Sequence, residues 1–233
     1  MRRVIFQNGE FYHIYNRGVE RRNIFCDEDD YQRFLSSLKG LNNNLGESQR
    51  NYLKKAGCFL KSDVNFPKSD VRKLTMNNLN LLTSDFRPLI KIIAYCSNPN
   101  HYHLLVEQLV GGGITLFMRK LGTSYTKYFN IKHNRPGHLF QGKFQAISIK
   151  TVERLIWLSA YINGNPEIHK MARAENYQWS SDAEYLNDTK NSQCDKKIIL
   201  ERFENVQGYQ DFVSIVIRDS REFKEEDKKY LLE

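Results

Sequence analysis

The four cysteines of this 233-residue chain, Cys26, Cys58, Cys96 and Cys194, stand far apart and never as a CxxC pair. That spacing argues against a zinc knuckle and offers no disulfide framework, so the thiols read as buried or incidental. Long apolar runs are missing as well. Without roughly eighteen consecutive apolar residues no membrane-spanning helix is predicted. The start Met1-Arg2-Arg3 leads into Val4-Ile5-Phe6-Gln7-Asn8-Gly9 rather than the apolar core of a secretory signal. A globular, cytoplasmic protein is the expectation. No internal repeat is visible.

The most informative absence is that of acid. Residues 108 to 152 contain no Asp or Glu, yet they hold Arg119, Lys120, Lys127, Lys132, Arg135, Lys143 and Lys150, nearly the whole of the net charge of +8. Phe117, Tyr125, Tyr128, Phe129, Phe140 and Phe144 are interleaved with them. Cations for phosphates and flat rings for unpaired bases point to a nucleic-acid partner. The same pattern also fits a solvated basic face whose aromatics turn into the core.

A 40% hydrophobic content over this length suffices for one full core. Glu10 to Gly18 has the β-branched and aromatic content of a first strand. Asp27-Glu28-Asp29-Asp30 then opens a helix whose apolar stripe is Tyr31, Phe34, Leu35, Leu38 and Leu41. The segment 43–87, rich in Asn, Ser and Lys, reads as an insertion. Beyond it, Leu89 to Cys96 reads as a buried strand, Ser97-Asn98-Pro99-Asn100 as a four-residue turn, and His101 to Leu109 as the returning strand. Thr115 to about Lys132 is a second helix, Phe144 to Ile149 another strand, and Thr151 caps a third helix that ends at Pro166. This order predicts an α+β domain over 1–186, an antiparallel sheet with helices packed mainly on one face. A charged C-terminal extension over 187–233 is expected to be partly helical, with a helix around Gly208 to Val216.

Two groups of residues carry chemistry. His101 and His103, two apart on a strand, project from one face while Tyr102 points to the other, a geometry that can chelate one ion and leave positions open for phosphate and water oxygens. The spacing alone fits ordinary structural histidines equally well. Tyr161 and Asn165, four apart, share one helix face. A tyrosine on an amphipathic helix is commonly core. His13 reads as a core or edge histidine of the first strand, and His133 and His138 as members of a basic loop.

The separated motifs together resemble the single-tyrosine branch of the HUH nucleases, in particular the transposase-like proteins associated with repetitive extragenic palindromes. Phe11-Tyr12-His13-Ile14-Tyr15-Asn16-Arg17-Gly18 resembles the family's opening strand, and Ala94 through Leu105 its histidine hairpin. Ser124 through Asn130 and Gly137 through Phe144 resemble its basic-aromatic block, Tyr161 through Pro166 its Tyr-Ile-x-x-Asn-Pro segment, and Tyr177-Gln178-Trp179-Ser180-Ser181 a motif that follows. The resemblance spans roughly residues 8 to 186. It implies a ferredoxin-like or RRM-like core, with Tyr161 as nucleophile and His101, His103 and Asn165 holding a divalent metal, Mg²⁺ or Mn²⁺. The implied partner is single-stranded or hairpin DNA, which a monomer or homodimer would cut and rejoin; a relative that grips the hairpin without cutting is the alternative. Candidate DNA contacts are Arg17, Arg119, Lys120, Lys127, Arg135 and Lys143 for phosphates, and Tyr128, Phe129 and Phe140 for bases.

Overall fold

The computed structural model describes residues 4–43, 87–187 and 192–230, so nearly all of the insertion expected at 43–87 lies outside the described residues. Strands β1 (Phe11–Arg17), β2 (Ile90–Asn98), β3 (His101–Gln108) and β4 (Gln145–Ile149) form one antiparallel sheet in the order β2-β3-β1-β4. The β2–β3 hairpin is tighter than the sequence suggested. Pairing continues to Asn98 opposite His101, which leaves Pro99 and Asn100 as a two-residue turn. The Pro99 carbonyl accepts from the Ile24 and Phe25 amides, 2.7 and 3.0 Å, and the Asn100 carbonyl from Gly18, 2.9 Å. The chain after β1 is thereby tied to the turn.

The antiparallel α+β arrangement expected from the sequence is present, with one refinement: helices cover both faces of the sheet. β2 gives the reason. All but Lys91 of its nine residues are buried, and an apolar run without alternation needs cover on both sides. On one face lie α1 (Glu28–Gly40) and α2 (Gly113–Lys132). The Asp27 side chain caps α1 by accepting from the Asp30 amide, as the acidic run predicted. Phe34 of α1 packs 5.0 Å from the Tyr102 ring, and Tyr125 of α2 packs against Phe34 and Phe140.

The other face is covered by α3 (Val152–Asn163), capped by Thr151. It is followed by the short helices α4 (Asn165–Ile168), α5 (Asp182–Leu186) and α6 (Lys197–Leu200), and by α7 (Val206–Tyr230), which runs well beyond the predicted helix and packs on α3. None of the described helices is long and apolar enough to cross a membrane. A buried polar chain ties these pieces together. The Ser181 hydroxyl donates to Asn163 Oδ1, 2.5 Å, Asn163 Nδ2 donates to the Tyr209 hydroxyl, 2.9 Å, and Tyr209 reaches Ser159, 3.3 Å. The Tyr177 to Ser181 motif closes the outer edge of β2. Ser97 donates its amide to Trp179 O and Ser181 donates to Tyr95 O, both at 2.9 Å, while the Trp179 ring stacks on Tyr31.

Two outcomes follow from this packing. A Cβ at Gly164 would stand 2.6 Å from Ile217 Cγ1, so Gly164→Ala is expected to push α7 from α3 and cost about 1–3 kcal/mol in chemical denaturation, partly restored by Ile217→Ala. Asp182 is buried, which together with Glu175 and Glu167 pushes its carboxyl up to about 6. Because the folded value lies above the ordinary one, this group's stability is complete below the unfolded pKa and is lost as pH rises through about 6. Asp182→Asn should therefore stabilise the fold at pH 7 by about 1–3 kcal/mol and show no gain near pH 4, read by denaturation at both pH values.

Candidate active site

Strand parity places His101 and His103 on the α3 side of β3, with Tyr102 buried on the opposite face. Their rings stand 5.1 Å apart at 90°. The register sets Arg17 opposite His101 and Tyr15 opposite His103, so the end of β1 flanks both histidines. Across from them, α3 sends Leu155, Leu158 and Ile162 into the core. Trp157 and Tyr161 remain half-buried and stacked at 5.3 Å and 12°, and the Tyr161 ring comes to 6.3 Å from His103 at 82°. A single chain supplies all of these groups.

Asn165 joins them despite the proline. α3 ends at Asn163, Gly164 carries the chain over, and Asn165 opens α4 with Pro166 in its first turn, a position that needs no amide donor. The Asn165 side chain is fully buried. Asn98 Nδ2 donates to Asn165 Oδ1 at 2.6 Å and lies 2.8 Å from His101 Nε2, so an imidazole lone pair and an amide oxygen converge on one donor. Asn165 Nδ2 has no hydrogen-bond partner there. On its other edge, His101 Nδ1 lies 2.6 Å from Asn100 Oδ1. Two imidazoles and an amide oxygen are neutral donors suited to a divalent ion that still has positions for phosphate oxygens, and the convergence of the His101 lone pair and Asn165 Oδ1 fits such an ion.

Burial pushes the Tyr161 phenol above its ordinary value, and the neighbouring Asn165 amide opposes that shift. Tyr161 and the two histidines line a cleft of about 750 Å³ whose rim carries Arg17 and Arg21, and none of its lining residues is acidic.

Sequence reasoning passed over two histidines of the site. His13 is no mere core residue: its Nε2 lies 2.9 Å from His103 Nδ1, and burial and the nearby Arg154 cation lower its pKa to about 4. His169, just after α4, lines the cleft with its ring 5.6 Å from His101. Alternation along β1 puts His13 on the same face as Tyr15, which stands opposite His103. No local pattern marks His169.

The candidate DNA contacts fall into three places. Arg17 stands at the cleft, while Arg119, Lys127, Phe140 and Lys143 line a larger groove of about 1090 Å³ between α2 and residues 138–144, on the α1/α2 side. Asn16 and Gln141 border both cavities. The remaining four make internal contacts. Lys120 Nζ donates to the Asn43 carbonyl at 2.7 Å, Arg135 braces Asn130 and the His138 carbonyl, and the Tyr128 ring has the Arg33 and Lys132 cations over it. Phe129 is buried against Tyr125 and His133. His133 itself meets the buried Asp30 at 2.9 Å rather than facing a phosphate.

Cys26, Asp30 and His133 form a second cluster of potential metal ligands, on the α1/α2 side. Asp30 already accepts from Lys132, His133 and the Cys26 amide, and burial and the Asp30 and Asp27 charges raise the Cys26 thiol. That cluster reads as a satisfied structural network.

Comparison with known proteins bears on the family resemblance and the fold. The profile of the family described as "Transposase IS200 like" matches residues 82–165, just over a third of the chain. Comparison with curated proteins gave no match. Among solved structures, the fold is similar to that of a REP-associated tyrosine transposase bound to a REP hairpin, with a TM-score of 0.52 and 14% identity over 80% of this chain and 84% of the other. The resemblance read from the sequence therefore stands: residues 82–165, which hold both histidines, Tyr161 and Asn165, match the IS200-like transposase profile, and the fold is similar to that of a REP-associated tyrosine transposase.

Proposed function

We propose that this protein is a transposase-type endonuclease that cleaves and rejoins single-stranded or hairpin DNA through Tyr161. The observation that carries the reading is the meeting of the Tyr161 phenol, His101 and His103 in one cleft without an acidic lining residue, with the buried Asn165 amide linked to His101 through Asn98. Arg17 and Arg21 attract the phosphate and counter its charge. Tyr161 Oη attacks the phosphorus and loses its proton; the bond to the 3′ oxygen breaks, and that oxygen takes up a proton as it leaves. The product is a 5′-phosphotyrosine, which retains the bond energy for rejoining without a nucleotide cofactor. His101, His103 and Asn165 would hold Mg²⁺ or Mn²⁺, which when bound neutralises charge at the scissile phosphate and eases departure of the 3′ oxygen. The stacked Trp157 ring keeps the phenol from swinging away from His103.

The far groove extends this reading. Arg119, Lys127 and Lys143 are exposed cations around an apolar wall that includes Met118 and Phe140, which suits a DNA backbone with an unpaired base. Lys120, Tyr128 and Arg135 serve that surface from behind, through the contacts that hold α2 and its following loop. The cytoplasm is the address that fits this activity. One chain carries the whole cleavage set, so a monomer suffices for the chemistry and a homodimer would hold two copies of it.

Incubation with Mn²⁺ and single-stranded hairpin DNA is expected to give a denaturant-resistant protein–DNA adduct. Tyr161→Phe should abolish the adduct, and His101→Ala or His103→Ala should slow its formation by about 10²–10³-fold. Cleavage that survives Tyr161→Phe without an adduct would overturn the proposal in favour of water as nucleophile; tight binding without cleavage would favour a hairpin-binding protein. Lys127→Ala and Lys143→Ala should each weaken binding across sequences and reduce the salt slope by about one, measured by fluorescence anisotropy over a salt series.

A further inference from the structure

His13 stands on β1, a central strand held between β3 and β4, where its backbone partners are Leu105 on one side and Ile147 on the other. Its ring does not meet the residue directly opposite. It reaches diagonally to His103, two positions away on β3, with ring centroids 5.1 Å apart at 24° and Nε2 2.9 Å from His103 Nδ1. Tyr15, next on the same face, packs 5.0 Å from His13 and 6.1 Å from His103. A side chain mounted on a central strand and packed on its own face has little freedom, which is the condition for orienting a neighbour.

Two neutral imidazoles in contact through one nitrogen each must share a single proton, and its position fixes the tautomer of both rings. The neighbouring histidine shows the same arrangement with less ambiguity. Asn100 Oδ1 can only accept, so at 2.6 Å it accepts the hydrogen bond from His101 Nδ1–H, which leaves Nε2 of that ring with the lone pair that faces Asn98 Nδ2. A cation held by both histidines needs the same tautomer at His103.

We propose that His13 is a positioning residue for His103, accepting the hydrogen bond from His103 Nδ1–H and so holding the His103 lone pair on Nε2. The inference rests on the reading of His101 and His103 as metal ligands for its purpose, and on the hydrogen bond alone for its geometry. His13 and Asn100 then do equivalent work for the two histidines, one from the centre of the sheet and one from the hairpin turn. A ligand's second ring nitrogen is commonly fixed in this way, and loss of such a partner weakens metal affinity by about 10–100-fold.

The test compares the full chain with His13→Phe, which keeps a ring and removes the acceptor, and His13→Gln, whose Oε1 can accept near the place of Nε2. In ¹⁵N-histidine-labelled protein without metal, long-range ¹H–¹⁵N spectra should show His103 as the Nδ1–H tautomer in wild type and His13→Gln, and as the Nε2–H tautomer in His13→Phe. Mn²⁺ affinity, followed by the loss of the free-ion electron paramagnetic resonance signal, should fall by about 10–100-fold in His13→Phe and stay near wild type in His13→Gln. An unchanged tautomer in His13→Phe, an Nε2–H form already present in wild type, or equal loss of Mn²⁺ affinity in both variants would overturn the assignment. Wild type that holds the Nδ1–H tautomer and binds no Mn²⁺ would uphold the role of His13 and overturn the metal reading instead.

Discussion

Everything in this fold hangs on the parity of β3. Paired with β2 on one side and β1 on the other, it turns Tyr102, Leu104 and Val106 toward α1 and α2 and His101 and His103 toward α3. A slip of one residue would exchange the two sets, placing imidazoles in the aromatic core and a tyrosine in the cleft. The two-residue turn at Pro99 and Asn100 guards against that slip, because its carbonyls accept the amides of Gly18, Ile24 and Phe25. The side chain of Asn100 also anchors His101, so the turn sets both the register and the orientation of a candidate ligand.

The opposite wall depends on the same sheet by another route. α3 is fastened by Asn163 to Ser181 and Tyr209, and Ser181 is itself fastened to the backbone of β2. Gly164 then allows α7 to approach at the point where α3 gives way to α4, between Tyr161 and Asn165. Packing remote from the cleft thus fixes the distance from phenol to histidine. A rigid scaffold with converging neutral donors and an acid-free rim suits a reaction whose difficulty lies in placing and neutralising a phosphate.

Much of this was legible from local signals. The Asp27 and Thr151 caps and the opposite facing of Tyr102 and the two histidines in β3 have causes within a few residues, and the structure reproduces them. Helices on both faces were foreshadowed only by the unbroken apolar run of β2, whose significance depends on what packs against it. The His13–His103 contact is a diagonal between strands 90 residues apart, and His169 reaches the cleft through the turn after α4; neither has a sequence periodicity that names its partner. The basic block behaved similarly. Charge and spacing marked Lys120, Lys127, Arg135 and Lys143 alike, but only the tertiary fold shows Lys120 and Arg135 tied to carbonyls and Lys127 and Lys143 lining a groove.

The central claim is that His101, His103 and Asn165 form one divalent-ion site beside Tyr161. Anomalous diffraction from crystals soaked in Mn²⁺ tests it most directly. The account expects a single strong peak within coordination distance of both imidazoles and the Asn165 side chain, next to the Tyr161 hydroxyl. A peak at Cys26, Asp30 and His133 with none in the cleft would contradict it.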